Sequence, residues 1–123
     1  MTPKDAIKML SPPRYCAEVI HFANINKAQP VWWLDIPLKK LDKHDFLVFA
    51  LCNKKQQLEV LGTPTSFLQE NLHRLSVRKD RGVISLELSC QPQNLFECVR
   101  PRNCGISFAQ FQRDTLEMPN ANI

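Results

Sequence analysis

Glycine is scarce in this chain. There are three in 123 residues, Gly62, Gly82 and Gly105, and no two are neighbours. A phosphate-cradling loop needs clustered glycines, so nucleotide binding through a standard Gly-rich motif is excluded. Long apolar runs are also missing. The longest is Phe46–Cys52, seven residues, far short of the ~20 that a membrane-spanning helix needs. The first ten residues, MTPKDAIKML, lack the apolar core and small-residue cleavage site of a secretory signal. No Cys-x2-Cys or His-x2–5-His pair occurs among the five cysteines and three histidines, so the usual spacing of a structural zinc site is absent. An odd number of cysteines without a leader fits a reducing cytoplasm.

What is present is an ordinary globular composition, with 44% apolar and 23% charged residues. A chain of this size forms one domain and buries roughly two-thirds of its unfolded surface. It needs neither disulfide nor metal for that. The net charge is +4, and the excess lies in the second half. Residues 74–113 carry seven basic side chains (Arg74, Arg78, Lys79, Arg81, Arg100, Arg102, Arg113) against three acids, Asp80, Glu87 and Glu97. A basic surface there suits a polyanionic partner.

Thr2 as a cap, Pro3 at the first helical position and Asp5 in the first turn mark a helix that Ser11-Pro12-Pro13 ends. Residues 17–25 and 31–36 read as two strands joined by a five-residue hairpin loop, 26–30. Residues 46–52 are apolar without alternation, the pattern of a central strand buried on both faces. A polar turn, 53–56, leads into a strand at 58–61. Thr63-Pro64, with Ser66 and Gln69 as a capping box, opens a second helix whose Phe67, Leu68, Leu72 and Leu75 form one stripe. Residues 83–88 alternate, with Ile84, Leu86 and Leu88 on one face and Ser85 and Glu87 on the other. A shorter strand is expected at 95–99, a loop at 100–105 and an element of open type at 106–111. The expectation is a single α+β domain over 1–117. It has a mixed or mainly antiparallel sheet of five or six strands with two to three helices packed on it, and a frayed tail at 118–123.

Within VWWLDIPLKKLDKHDF the pleat puts Val31, Trp33 and Asp35 on one face and Trp32, Leu34 and Ile36 on the other. One tryptophan therefore belongs to the core, and the other is free to stack on a base. The 39–43 segment reads as a solvated connection. His21 reads as a half-buried, hydrogen-bonded side chain. His44 and Asp45 are neighbours on a strand and point apart. Cys104, beside Arg100 and Arg102, has cations that favour a thiolate, but no histidine stands near in sequence and the cysteines read as plain thiols.

Asp45 heads the apolar strand and Glu59 sits in the next one. If a hairpin joins them, both are expected near the same end of it, where paired carboxylates can hold Mg²⁺. In element order, and in an acid followed by a Glu in the next strand, residues 3–88 resemble the restriction-endonuclease-like fold. Its active-site pattern is Asp, then Glu-x-Lys. Asp45 and Glu59 match the acids, and Leu61 stands where that family has its lysine. The resemblance implies a Mg²⁺-dependent nuclease or phosphodiesterase with Asp45 and Glu59 as metal ligands. Lys54, Lys55 or Arg78 would then have to supply the missing cation.

Three functions follow from these residues. The leading one is a non-catalytic cytoplasmic protein, with no cofactor, that binds a polyanion such as DNA or RNA. It would use Trp32 or Trp33 for stacking and Arg78, Lys79, Arg81, Arg100 and Arg102 for phosphates. The second is the metal-dependent nuclease. The third is a protein-interaction or self-association module, a homodimer through an edge strand at 31–36 or 95–99.

Overall fold

The computed structural model describes residues 1–10 and 14–118. Among these residues seven strands form two sheets, and three short helices pack around them. The first sheet has the order β1-β3-β4-β7, with β1 at Ile20–Ala23, β3 at Phe46–Cys52, β4 at Gln57–Pro64 and β7 at Gln112–Glu117. β1 runs parallel to β3, and the other pairs are antiparallel. The second sheet is antiparallel, β2-β6-β5, with β2 at Val31–Pro37, β6 at Val83–Ser89 and β5 at Ser76–Arg78. The helices are α1 (Pro3–Leu10), α2 (Lys39–Lys43) and α3 (Thr65–Glu70). No described helix is long and apolar enough to cross a membrane.

One apolar core joins all of this. β3 is its axis: from Leu47 to Cys52 every side chain is buried. Phe49 packs against Phe108, whose backbone belongs to the segment that extends the second sheet. The next core layer is Trp32, stacked on Phe96 with 5.5 Å between ring centroids. The Trp32 indole N–H donates to the Cys52 carbonyl at 2.8 Å, linking the two sheets. α1 packs along β1 and is capped by a reciprocal pair: the Asp5 amide donates to Thr2 Oγ1, and the Thr2 amide to the Asp5 carboxylate.

The α+β class, the buried central strand and the 83–88 alternation agree with the sequence reading. Several local expectations are corrected. β1 and β2 do not form a hairpin. They lie in different sheets, β1 paired with β3 and β2 with β6, and the antiparallel Ile25–Trp32 bridge joins β2 only to the residues just beyond β1. There are two sheets, not one. Residues 39–43 form α2, whose Leu41 is buried, rather than a bare connection. Thr63 and Pro64 extend β4, so the second helix starts at Thr65 and passes after Asn71 into a 3-10 turn, Leu72–Arg74. Residues 95–99 make only isolated bridges, Leu88–Cys98 and Glu97–Ser107. β7 was not expected, since it is exposed along nearly its whole length and shows no apolar alternation. The Ser11-Pro12-Pro13 stop and residues 119–123 of the expected tail lie outside the described residues.

Candidate nucleic-acid interface

The outer face of the second sheet gathers most of the side chains singled out from the sequence. Register sets this: Trp33 is opposite Glu87, Asp35 opposite Ser85, and Pro37 opposite Val83. On the other side of β6, Ser85 faces Ser76 and Val83 faces Arg78. Directly paired residues point to the same side of a sheet, so Trp33, Asp35, Glu87 and Arg78 share one face. Trp33 is 39% exposed, while Trp32, pointing inward, is 1% exposed. That corrects the choice between the tryptophans: Trp32 is core and cannot stack on a ligand.

Arg100 arrives from the loop that follows the Leu88–Cys98 bridge. The Val99 amide donates to the Glu87 carbonyl and fixes the approach. The Arg100 guanidinium carbon then stands 5.5 Å from the Trp33 ring centroid, within range of a cation–π contact. Arg100 Nη1 donates to Glu87 Oε2 at 3.0 Å, and the Glu87 side chain is only 8% exposed. A charge-assisted bond this well covered fixes both partners. A second, looser pair lies further along the strand. Ser85 Oγ donates to Asp35 Oδ1 at 2.8 Å, and Arg81 approaches Asp35 Oδ2 at 3.9 Å. Both Arg81 and Asp35 are exposed, so this pair contributes no more than about 1 kcal/mol and Arg81 is free to turn to another anion.

Lys79 and Arg102 are exposed at the margins. Lys79 lies in the β5–β6 turn. Arg102 lines an open depression of about 430 Å³ with Glu97, Cys98, Val99, Asn103, Cys104 and Gly105. The structure thus brings Trp33, Arg78, Arg81 and Arg100 to one face, with Lys79 and Arg102 beside it. Glu87, which holds Arg100, and Ser85, which bonds Asp35, were legible only as the polar side of an alternating strand. Their partners depend on a register that local sequence does not carry.

The two acids considered as metal ligands are not close. Glu59 is opposite Leu51, near the hairpin turn, whereas Asp45 precedes Phe46 at the open end. Six residues of extended strand separate the two ends, about 20 Å. This corrects the expectation that both sit at the same end of the hairpin. Glu59 is already engaged, accepting from Asn53 Nδ2 at 3.0 Å, Gln112 Nε2 at 2.6 Å and Thr115 Oγ1 at 3.3 Å. Asp45 lines a separate depression of about 360 Å³ with Arg14, Lys43 and His44. Among the described residues, no group of three or more His, Cys, Asp and Glu is placed to hold a metal ion.

His21 lies behind α2, on the first sheet. Lys40 Nζ is 3.4 Å from its Nε2 and donates to the Glu18 carbonyl. Burial, helped by the Lys40 charge, pulls the His21 pKa down to about 4. The ring is therefore neutral at pH 7 and serves packing.

No family model, curated protein or solved structure matches this chain.

Proposed function

We propose that this protein is a non-catalytic binding module for a polyanion, and that the polyanion is single-stranded nucleic acid. The observation that carries the reading is Trp33, an exposed indole on a sheet face, backed by an arginine that Glu87 holds in place. An indole is a stacking platform for a base, and each stacked base contributes about 1–3 kcal/mol. Arg78, Lys79, Arg81 and Arg102 surround it with cations for the phosphates. A duplex hides its base faces, so the stacking element favours unpaired strands.

Titration of the protein with short single- and double-stranded DNA and RNA, followed by tryptophan emission, tests this. The expected result is saturable quenching by single strands, weaker binding of duplex, and affinity that falls steeply as salt rises. Because Trp32 is buried, the response should disappear in Trp33→Leu. Absence of binding at low salt, or binding indifferent to salt, overturns the proposal.

A further inference from the structure

Cys98 and Cys104 are distant enough in sequence to look unrelated, but the fold brings them together. The Cys98 amide donates to the Ile106 carbonyl at 2.7 Å, and the Gly105 amide to the Cys98 carbonyl at 3.1 Å. These two bonds draw the start and end of the 99–103 loop side by side. Both cysteines are free and buried, and these backbone bonds set them against each other across the base of the loop. Each thiol also anchors a backbone carbonyl. Cys98 Sγ donates to the Arg100 carbonyl at 3.0 Å, and Cys104 Sγ to the Arg74 carbonyl at 3.6 Å. Arg74 Nη2 in turn donates to the Cys104 carbonyl at 2.9 Å, holding that residue from the other side. Both cysteines line the open depression that also contains Arg102. Cys98 is fully covered and Cys104 keeps a small exposed area, so a small reagent reaches Cys104 first.

We infer that Cys98 and Cys104 form a reversible disulfide by exchange with a low-molecular-weight disulfide such as oxidised glutathione, and that this bond regulates the Trp33 face. The regulatory half rests on the reading of that face as a binding site; the bond itself does not. In the first step the Cys104 thiolate, the less buried of the two, attacks one sulfur of glutathione disulfide. It forms a mixed disulfide and releases one glutathione thiolate. Cys98 then gives its proton to solvent, attacks the Cys104 sulfur and releases the second glutathione thiolate. The two cysteines lose two electrons, glutathione disulfide gains them, and the two thiolates take up the two protons. Arg102, in the same depression, supplies a cation for a glutathione carboxylate.

Burial pushes the Cys98 thiol up to about 12, so the closing step is slow at neutral pH and speeds up as pH rises. Once the bond forms, neither sulfur can donate. The Arg100 carbonyl loses its thiol partner, and the loop that presents the Arg100 guanidinium to Trp33 is re-anchored at both ends. The contact at 5.5 Å between Arg100 and Trp33 is the part of the binding face most directly exposed to that change.

The test uses the Cys16→Ser protein, since Cys16 is an exposed competitor. It is incubated with oxidised glutathione, digested without reduction and mapped by mass spectrometry, and single-strand binding is titrated before and after. The expected result is a peptide cross-link between Cys98 and Cys104, closure faster at higher pH, and a severalfold loss of single-strand affinity that dithiothreitol restores. A glutathione adduct that persists on either cysteine even at high pH, or a cross-link to Cys52 or Cys90 instead, overturns the redox site. A correct cross-link with unchanged affinity overturns the regulation. If the cross-link forms while no nucleic acid binds in either state, the binding proposal fails and the redox site stands.

Discussion

The Trp32 indole N–H reaches from the second sheet to the Cys52 carbonyl at the end of β3, 2.8 Å away. It is a polar contact between two apolar layers, and Trp32 is among the largest fully buried side chains. Replacing it with Phe removes the donor and leaves a void beside Phe96. Losing a buried hydrogen-bond partner costs about 1–3 kcal/mol, and the smaller ring adds to that. Trp32→Phe should lower the urea midpoint by an amount worth at least about 2 kcal/mol, with no change in the slope of the transition. A variant as stable as the parent would show that this link contributes little.

Trp33 should behave in the opposite way. It is partly exposed and its main contact is with Arg100, so Trp33→Leu should leave the stability within about 1 kcal/mol of the parent. Single-strand affinity should nevertheless drop by about tenfold or more, the value of one stacked base. Equal losses of stability and affinity would mean that the residue supports the sheet and not a ligand.

Glu87 and Arg100 form the most covered ion pair on the Trp33 face. Arg100→Ala leaves the Glu87 carboxylate buried without its partner. Breaking such a pair costs up to about 3 kcal/mol, reduced here by the partial exposure of Arg100. The double variant Arg100→Ala/Glu87→Gln should recover much of that loss, since no charge is then stranded. A double-mutant cycle on urea unfolding measures the coupling. Additive losses would show the two side chains to be independent.

His21 gives the fold a specific response to acid. Its folded pKa of about 4 lies below the ordinary 6.5, with burial the main cause and the Lys40 charge the second. The unfolded chain therefore takes up a proton first as pH falls. Stability from the neutral ring is fully present above about pH 6.5. It declines through the window down to about 4 and is gone below it, a loss of at most about 3 kcal/mol. Denaturant titrations from pH 7 to pH 4 should show this decline in the parent and a smaller one in His21→Gln. Identical slopes in both proteins would remove His21 as the cause.

The sequence carried what depends on local pattern. Alternation separated Trp32 from Trp33 and assigned Ile84, Leu86 and Leu88 to the core; the unbroken run 46–52 marked the central strand. It did not carry what depends on partner choice. β1 and β2 are close in sequence and look like a hairpin, but side-chain packing assigns them to different sheets. Asp45 and Glu59 looked like neighbours until register placed Glu59 opposite Leu51. β7 was invisible because an exposed edge strand needs no apolar face, and its Arg113, Asp114 and Glu117 break any apolar alternation. The approach of Cys98 to Cys104 arises from backbone bonds within an irregular segment, for which no periodicity exists.

The strand orders have a consequence for how the chain reaches this state. Each sheet takes members from both halves of the sequence: β7 joins β4 in one, and β2 waits for β6 in the other. Neither half can complete a layer by itself, so large loops must close before most pairings are rewarded. Such a topology belongs to the slow-folding class, with milliseconds to seconds the natural scale. During that interval the β3 segment, the most apolar stretch of the chain, is without its cover. The nascent protein is then most exposed to aggregation until its last third is available.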